Sequence, residues 1–273
     1  MPELIECETH GECEQTYVCS HLVSDAVGLG FNGAEPTLEK PFPDAWCDEC
    51  HLIFEAHDGW NDQTEDLVSI KTLCSSCYEK TRIRNLRTDV TLADLDAFRW
   101  KCYSCEEWHT GACLDFSLSV PAYWGAEEEQ AKQDWPLDAD ELPQTYLDED
   151  VCIINGEHFF IRGLIHLPII GTAETFRWGV WGSLSRDNFL MLLSRDDDPN
   201  RVELEPMFSW LSSQLADYED TLSLKMYAHI QPIGERPIFE LEPTEHLLSK
   251  EYHHGINPER VKEIMKRQLK EIE

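Results

Sequence analysis

Over the second half of the chain, apolar and polar residues alternate with the period of two that belongs to half-buried strands. TLSLKMYAHI puts Leu222, Leu224, Met226, Ala228 and Ile230 on one face and Ser223, Lys225, Tyr227 and His229 on the other. VCIINGEHFFIRGLIHLPI is two β-rich runs about Asn155-Gly156. Both residues tolerate the positive φ of a two-residue hairpin turn. Its second run sorts Phe159, Ile161, Ile165 and Leu167 to one side, and His158, Phe160, Arg162, Leu164 and His166 to the other. ETFRWGVWGSL offers Phe176, Trp178, Val180 and Leu184 to a core, and LDFSLSV and RPIFELE read as further strands. The period changes at Ser185, which caps a short helix over RDNFLMLL, and again after Asn257. There Pro258 occupies a first turn, and Val261, Ile264, Met265, Gln268, Leu269 and Ile272 recur at helical spacing. Four or five strands with a C-terminal helix predict an α+β domain with a mainly antiparallel sheet.

The first third lacks such a pattern. IECETHGECEQTYVCSHLV reads as two short strands around THGE, with Cys19 and His21 alternating onto one strand face. Residues 62–73 predict a short helix with Leu67, Ile70 and Leu73 inward. Cys74 to Arg87 predicts a knuckle followed by a basic helix, and TDVTLADLDAF another short helix. This region can bury little core, and what it holds instead is metal-ligand spacing. Cys47-x-x-Cys50 and Cys74-x-x-Cys77 are separated by 23 residues, and two such pairs can supply the tetrahedral sulfur set that Zn²⁺ accepts. Cys7-x-x-His10 and Cys19-x-His21 are two more pairs of ligand type. The economical arrangement joins Cys47 and Cys50 to Cys74 and Cys77, leaving the other four for a second ion. A crossed arrangement is equally compatible with the spacing. Cys13 fits neither and reads as a spare thiol. No position is left open beside a base, so the expected metal role is structural. A third knuckle, Cys102-x-x-Cys105-x3-His109-x3-Cys113, opens the sheet domain. Its alternative reading is a β-turn without metal.

These patterns divide the chain into a zinc-binding domain over 1–96 and an α+β sheet domain over 97–273. Composition then narrows the partners. The formal charge of −31 disfavours binding to a phosphate backbone and favours a basic protein reached by electrostatic steering. No apolar run approaches the roughly 18 residues of a membrane span. The acidic N-terminus offers no signal-peptide apolar region, so a cytoplasmic protein is expected. Thiols in that compartment point to metal rather than disulfides. Acidic residues between 127 and 150 read as a solvated face, with partner docking as the alternative.

Motifs for catalysis are lacking. Gly28, Gly30 and Gly33 match G-x-G-x-x-G, but Pro36, Pro41 and Pro43 follow where a helix would have to start, so the segment reads as a loop. There is no H-E-x-x-H, G-x-S-x-G or Walker loop. Cys152 lies in an apolar strand and reads as buried, and Trp178 and Trp181 as core. The first expectation is a non-enzymatic protein-interaction module, of the kind in which an acidic immunity protein neutralises a basic partner. The alternative is a hydrolase or transferase using His158, His166 or His229 on the sheet.

WKCYSCEEWHTGACLDFSLSVPAYW, DEDVCIINGEHFFIRGLIHLPI, FRWGVWGSLSRDNF and LELEPTEHLL together resemble the uncharacterised bacterial family called domain of unknown function 2199, from about Phe98 to the C-terminus. Cys113 stands where that pattern commonly has proline, which weakens it as a ligand. The first third is similar to small bacterial proteins with C-x-x-H-G, Y-V-C-x-H-L, W-C-x-x-C and L-C-x-x-C-Y elements. That likeness implies zinc and a fusion of two modules. Neither resemblance implies a reaction.

Overall fold

Strand pairing around one nine-residue strand organises the N-terminal part of the chain. In the computed structural model, which describes residues 4–7, 9–24, 26–37, 40–61, 63–64, 67–87, 92–96, 98–102, 105–135 and 142–269, β1 (Leu4–Cys7) and β2 (Gly11–Cys19) form the expected hairpin. β3 (Asn32–Gly33) pairs with β4 (Ala45–Trp46), which joins the far end of β2 in parallel. β5 (Ile70–Cys74) runs antiparallel along the other edge of β2, from Gln15↔Cys74 to Cys19↔Ile70. α1 (Asp48–Ala56) follows β4, and α2 (Ser75–Asn85) follows β5. A 3-10 turn spans Leu92–Leu95, and β6 (Arg99–Lys101) and β7 (Trp108–Thr110) make a small hairpin.

Three expectations are corrected here. His21 lies in a 3-10 turn, Ser20–Val23, and not on a strand, because β2 ends at Cys19. Residues 70–74 are strand rather than helix, and Leu67 and Ile70 face solvent at 55% and 60% exposure instead of inward. The edge of β2 offers five successive backbone pairings, and Ile70 and Thr72 are β-branched, so tertiary pairing outweighs a weak helical pattern. Helix α1 had no expectation at all. The start of the expected helix at residue 62 lies outside the described residues.

The chain gathers into two compact units, 1–112 with 168–175 and 253–273, and 113–167 with 176–252. In the second unit β8 (Asp115–Ser117) pairs in parallel with β12 (Thr175–Leu184). α3 (Ala126–Ala131) precedes β9 (Tyr146–Leu147) and β10 (Val151–Ile154), and β11 (His158–Pro168) returns antiparallel to β10. α4 (Arg186–Ser194) and a 3-10 turn (Pro199–Glu203) lead to β13 (Met207–Leu211), β14 (Lys225–His229) and β15 (Ile238–Leu241). α5 (Leu247–His254) comes next, and α6 (Pro258–Gln268) falls in the first unit, with Asn257 as its cap accepting from the Arg260 amide. Among the described residues the chain is α+β, with six α-helices.

The sheet of the second unit closes on itself. β11 pairs with β12 on one edge and with β15 on the other, in parallel at Leu164↔Ile238, so β11, β12, β13, β14 and β15 form a barrel. Its interior is the inward set of the alternating strands. Phe159, Ile161, Ile165, Leu167, Phe176, Trp178, Val180, Met226, Ala228 and Phe239 are all buried. Gly163 and Gly182 make room for the Phe239 ring: a Cβ at Gly163 would lie 2.5 Å from the Phe239 ring, and one at Gly182 2.7 Å from it. The Asn155-Gly156 turn has the positive φ values its residues imply, 55° and 65°. Ile154 pairs with His158, however, so the connection is three residues long rather than two. Ser185 caps α4, its Oγ accepting from the Asn188 amide at 3.2 Å. Ser185→Ala should lower stability by about 1 kcal/mol, measured by urea unfolding at unchanged slope.

Candidate metal centres

The first group is Cys7, His10, Cys74 and Cys77; the second is Cys19, His21, Cys47 and Cys50. In the first, His10 Nδ1 lies 3.5 Å from Cys7 Sγ, 3.4 Å from Cys74 Sγ and 3.5 Å from Cys77 Sγ. In the second, His21 Nδ1 lies 3.2 Å from Cys50 Sγ and 3.5 Å from Cys47 Sγ. Each set presents three thiols and one imidazole nitrogen and could hold a metal ion. None of the cysteines is in a disulfide.

The economical pairing of Cys47 and Cys50 with Cys74 and Cys77 is therefore wrong. The first ligand pair in the chain meets the last, and the second meets the third. Strand direction decides this. β5 runs antiparallel to β2, so its C-terminal end, with Cys74, points toward the β1–β2 turn that carries His10. β4 runs parallel to β2, so its C-terminal end, with Cys47 just beyond, arrives beside Cys19. His10 and Cys19 stand at opposite ends of β2, nine residues and about 30 Å apart in an extended strand. No tetrahedral site could span that distance.

Both C-x-x-C pairs open a helix. Cys47 is the N-cap of α1, with Cys50 in its first turn. Cys74 is the N-cap of α2, its Sγ accepting from the Cys77 amide at 3.3 Å. Cys19 Sγ accepts from the Cys47 amide at 3.3 Å. Amides and helix N-termini favour the thiolate form a metal requires. Burial opposes it: Cys50 and Cys19 are raised by desolvation, and Cys77 is pushed up to about 12. Crowded sulfurs also repel one another as thiolates. A divalent cation at the centre is the arrangement that removes both penalties. Cys7 moves the other way, lowered by the backbone amides of Thr9 and His10.

Cys102, Cys105 and His109 form a third group, with Cys105 Sγ 3.1 Å from His109 Nε2 and the His109 ring stacked on Trp100. Three donors leave the fourth position of a tetrahedral ion unfilled. Cys113 does not complete the set; its thiol donates to the Asp115 carbonyl at 3.6 Å. Cys13 also stays outside, donating to the His10 carbonyl at 3.5 Å. Glu106, at φ 59°, supplies the left-handed turn after Cys105.

Two of the three histidines named on the sheet stand far apart. His158 and His166 are eight residues apart on β11, about 26 Å in an extended strand, and they line different cavities. His229 Nε2 pairs with the Glu240 carboxylate, whose Oε2 accepts at 2.6 Å. Cys152 is fully buried and pushed up to about 12 by desolvation, a thiol and not a nucleophile at neutral pH. Trp178 and Trp181 are core residues, and Gly28, Gly30 and Gly33 precede no helix start until Asp48. Among the described residues no helix is long and apolar enough to cross a membrane.

Sequence reasoning passed over two further features. Phe208, Trp210 and Tyr227 lie on the outer face of β13 and β14, at 38%, 41% and 36% exposure, with Phe208 packed edge-on to both partners at 5.1 and 5.8 Å. Their alternation with buried neighbours was the available signal. The other feature is a cavity lined by arginines from four elements, for which spacing along the chain offers no cue.

No curated protein and no solved structure matches the chain. Residues 101–256 match the model of a family described as an uncharacterized protein conserved in bacteria (DUF2199). The match starts one residue before Cys102, so it takes in the third Cys/His group and the barrel, while both four-ligand groups precede it. Over more than half its length, then, this chain carries the DUF2199 sequence, and it belongs to that family.

Proposed function

We propose that the protein is a zinc-stabilised, non-enzymatic interaction module whose partner is a basic protein. The observation that carries the reading is the geometry of the two four-ligand groups. Zinc bound at its ordinary distances to sulfur and imidazole nitrogen places those ligand atoms about 3.6 Å apart in a tetrahedron, and five sulfur–nitrogen separations here fall between 3.2 and 3.5 Å. Four protein donors close each site, so zinc would serve the fold and not a reaction. The Cys102, Cys105 and His109 group would hold a third, more weakly retained zinc.

Two features favour a basic partner. The chain carries a formal charge of −31. The exposed aromatic strip of Phe208, Trp210 and Tyr227 has Glu240 as the cross-strand neighbour of Tyr227, a surface on which arginine and lysine side chains can stack while remaining near a carboxylate. Such an interface would be steered by charge and weakened by salt.

Elemental analysis of the purified chain should find at least two zinc ions per molecule; none would end the reading. Histone-like or other purified basic proteins immobilised at low salt should retain the chain, and retention should fall steeply with added sodium chloride. Trp210→Ala should weaken that retention by about tenfold, as for an interface aromatic worth 1–2 kcal/mol, with an unchanged melting temperature. Equal retention of a folded Trp210→Ala variant would remove the strip from the interface.

A further inference from the structure

A cavity of about 670 Å³ opens beside the barrel, within the size range of small-molecule sites. Arg162 reaches it from β11, Arg177 from β12, Arg201 from the 3-10 turn after α4, and Arg236 from the β14–β15 connection. His166 and Gln231 line it as well. In a chain with 22 basic residues against 53 acidic ones, four arginines from four elements meet at one cavity, alongside four carboxylates, and Arg177 is paired with Asp115.

The charges are sorted by depth. Arg201 is buried, and Arg162, Arg236 and His166 are half-buried, whereas the carboxylates that also line the cavity, Asp150, Asp196, Asp197 and Glu235, are exposed. Each deep arginine is partly held. Arg236 Nε donates to Asp150 at 2.6 Å, Arg201 Nη1 to the side chain and the carbonyl of Asp196, both at 3.1 Å, and Arg162 through Nη2 to Ser117 Oγ at 2.7 Å and through Nη1 to the Glu149 carbonyl at 3.3 Å. What these anchors leave over is informative. Seven buried side-chain polar atoms among the described residues have no hydrogen-bond partner, and three of them, Arg162 Nε, Arg201 Nε and His166 Nε2, belong to residues lining this one cavity. A buried donor left unpaired is costly, and an incoming acceptor would relieve that cost. Burial and the neighbouring Arg236 lower the Arg162 pKa, and Asp150 and Glu149 offset part of that effect.

We propose that this cavity binds an oxyanion, the phosphate or carboxylate group of a small molecule, held by Arg162, Arg201 and Arg236. The guanidinium fork matches either group in two parallel hydrogen bonds, and an anion between the arginines offsets their mutual repulsion. The acidic rim adds selectivity: a ligand of high negative charge meets repulsion at the mouth, whereas one with a single oxyanion and a neutral or cationic remainder does not. This site is built from residues other than those of the metal groups and does not depend on the zinc reading.

The test uses the full-length protein as purified. Inorganic phosphate, phosphoethanolamine, acetate and glycine are titrated by calorimetry and thermal shift, against sodium chloride at matched ionic strength. Saturable binding of at least one probe, with a raised melting temperature, is expected. Binding confined to the phosphate probes assigns a phosphate-bearing ligand, and binding confined to acetate and glycine assigns a carboxylate. Arg162→Gln should weaken binding about tenfold or more, and Arg162→Lys, which keeps the charge but loses the fork, should be intermediate. Glu235→Gln, on the exposed rim, should leave binding intact or tighten it. Should no probe bind beyond the chloride control, or should a folded Arg162→Gln variant bind as tightly as the parent, the proposal is overturned.

Discussion

On the zinc reading proposed above, treatment with a strong chelator should unfold the N-terminal strands and helices. Structural zinc contributes about 10–16 kcal/mol of apparent binding energy in comparably small sites, as much as or more than the roughly 5–15 kcal/mol net stability of a whole domain. The packing that would remain is thin. The buried apolar cluster of this region consists of Val18, Cys19, Leu22, Ala45, Cys47, Cys50 and Tyr78, and three of these seven are ligand residues themselves. Without an ion, the sulfurs of Cys19, Cys47 and Cys50 become buried thiols pressed together, and β4 meets β2 through the short Val18↔Ala45 pairing, the Thr16 bond to the Phe42 carbonyl and the partly buried apolar residues around them. Amide hydrogen exchange followed after chelation should show loss of protection in β1, β2, α1 and α2, with the barrel strands retaining theirs. Cys74→Ser should loosen β1, β5 and α2, because it removes a ligand of the first group while serine can still cap α2. Cys13→Ser is the control: its thiol lies outside the ligand groups and its loss should leave the metal content unchanged. Metal-free protein that keeps full protection in β1 and β2 would show that the clusters do not hold this region together.

Phe239→Ala should cost about 3–5 kcal/mol of stability in the second unit, the range for a fully buried phenylalanine. The ring is 0% exposed, and it fills the barrel where β11 and β12 carry Gly163 and Gly182 instead of side chains. Because the two glycines are part of the same arrangement, their effects should not add. Gly182→Ala in the parent places a Cβ 2.5 Å from Ser209 Oγ, 2.6 Å from Met226 Cε and 2.7 Å from the Phe239 ring, and should be destabilising. In the Phe239→Ala background part of that crowding is gone, so the double variant should be more stable than the sum of the single costs implies. Denaturant unfolding of the four proteins in the cycle measures the coupling. Additive costs would mean that the glycines are not there to accommodate the ring.

Some features were legible locally because the interactions that fix them are local. The Asn155-Gly156 turn, the Ser185 and Asn257 caps, and the inward face of Phe159, Ile161, Ile165 and Leu167 all depend on residues within a few positions of each other. The pairing of sulfurs within each C-x-x-C is local too, since two intervening residues aim both toward one point whatever surrounds them. What was misread involves partners far along the chain. Ile70 to Cys74 became a strand only because β2 offered an edge, and His21 left the strand only because β2 stopped at Cys19. The closing of the barrel rests on Leu164 meeting Ile238, a pairing that no spacing announces.

The same division runs through the candidate sites. Residue type and spacing alone established that Cys7, His10, Cys19, His21, Cys47, Cys50, Cys74, Cys77, Cys102, Cys105 and His109 have the chemistry to hold metal, and that the barrel strands are amphipathic. Which ligand pairs share an ion was decided by strand direction, parallel for β4 and antiparallel for β5, and direction is a property of the assembled sheet. The arginine-lined cavity belongs wholly to the tertiary structure. Its members are scattered from Arg162 to Arg236, and long-range packing rather than sequence neighbourhood brings these guanidinium groups to one cavity.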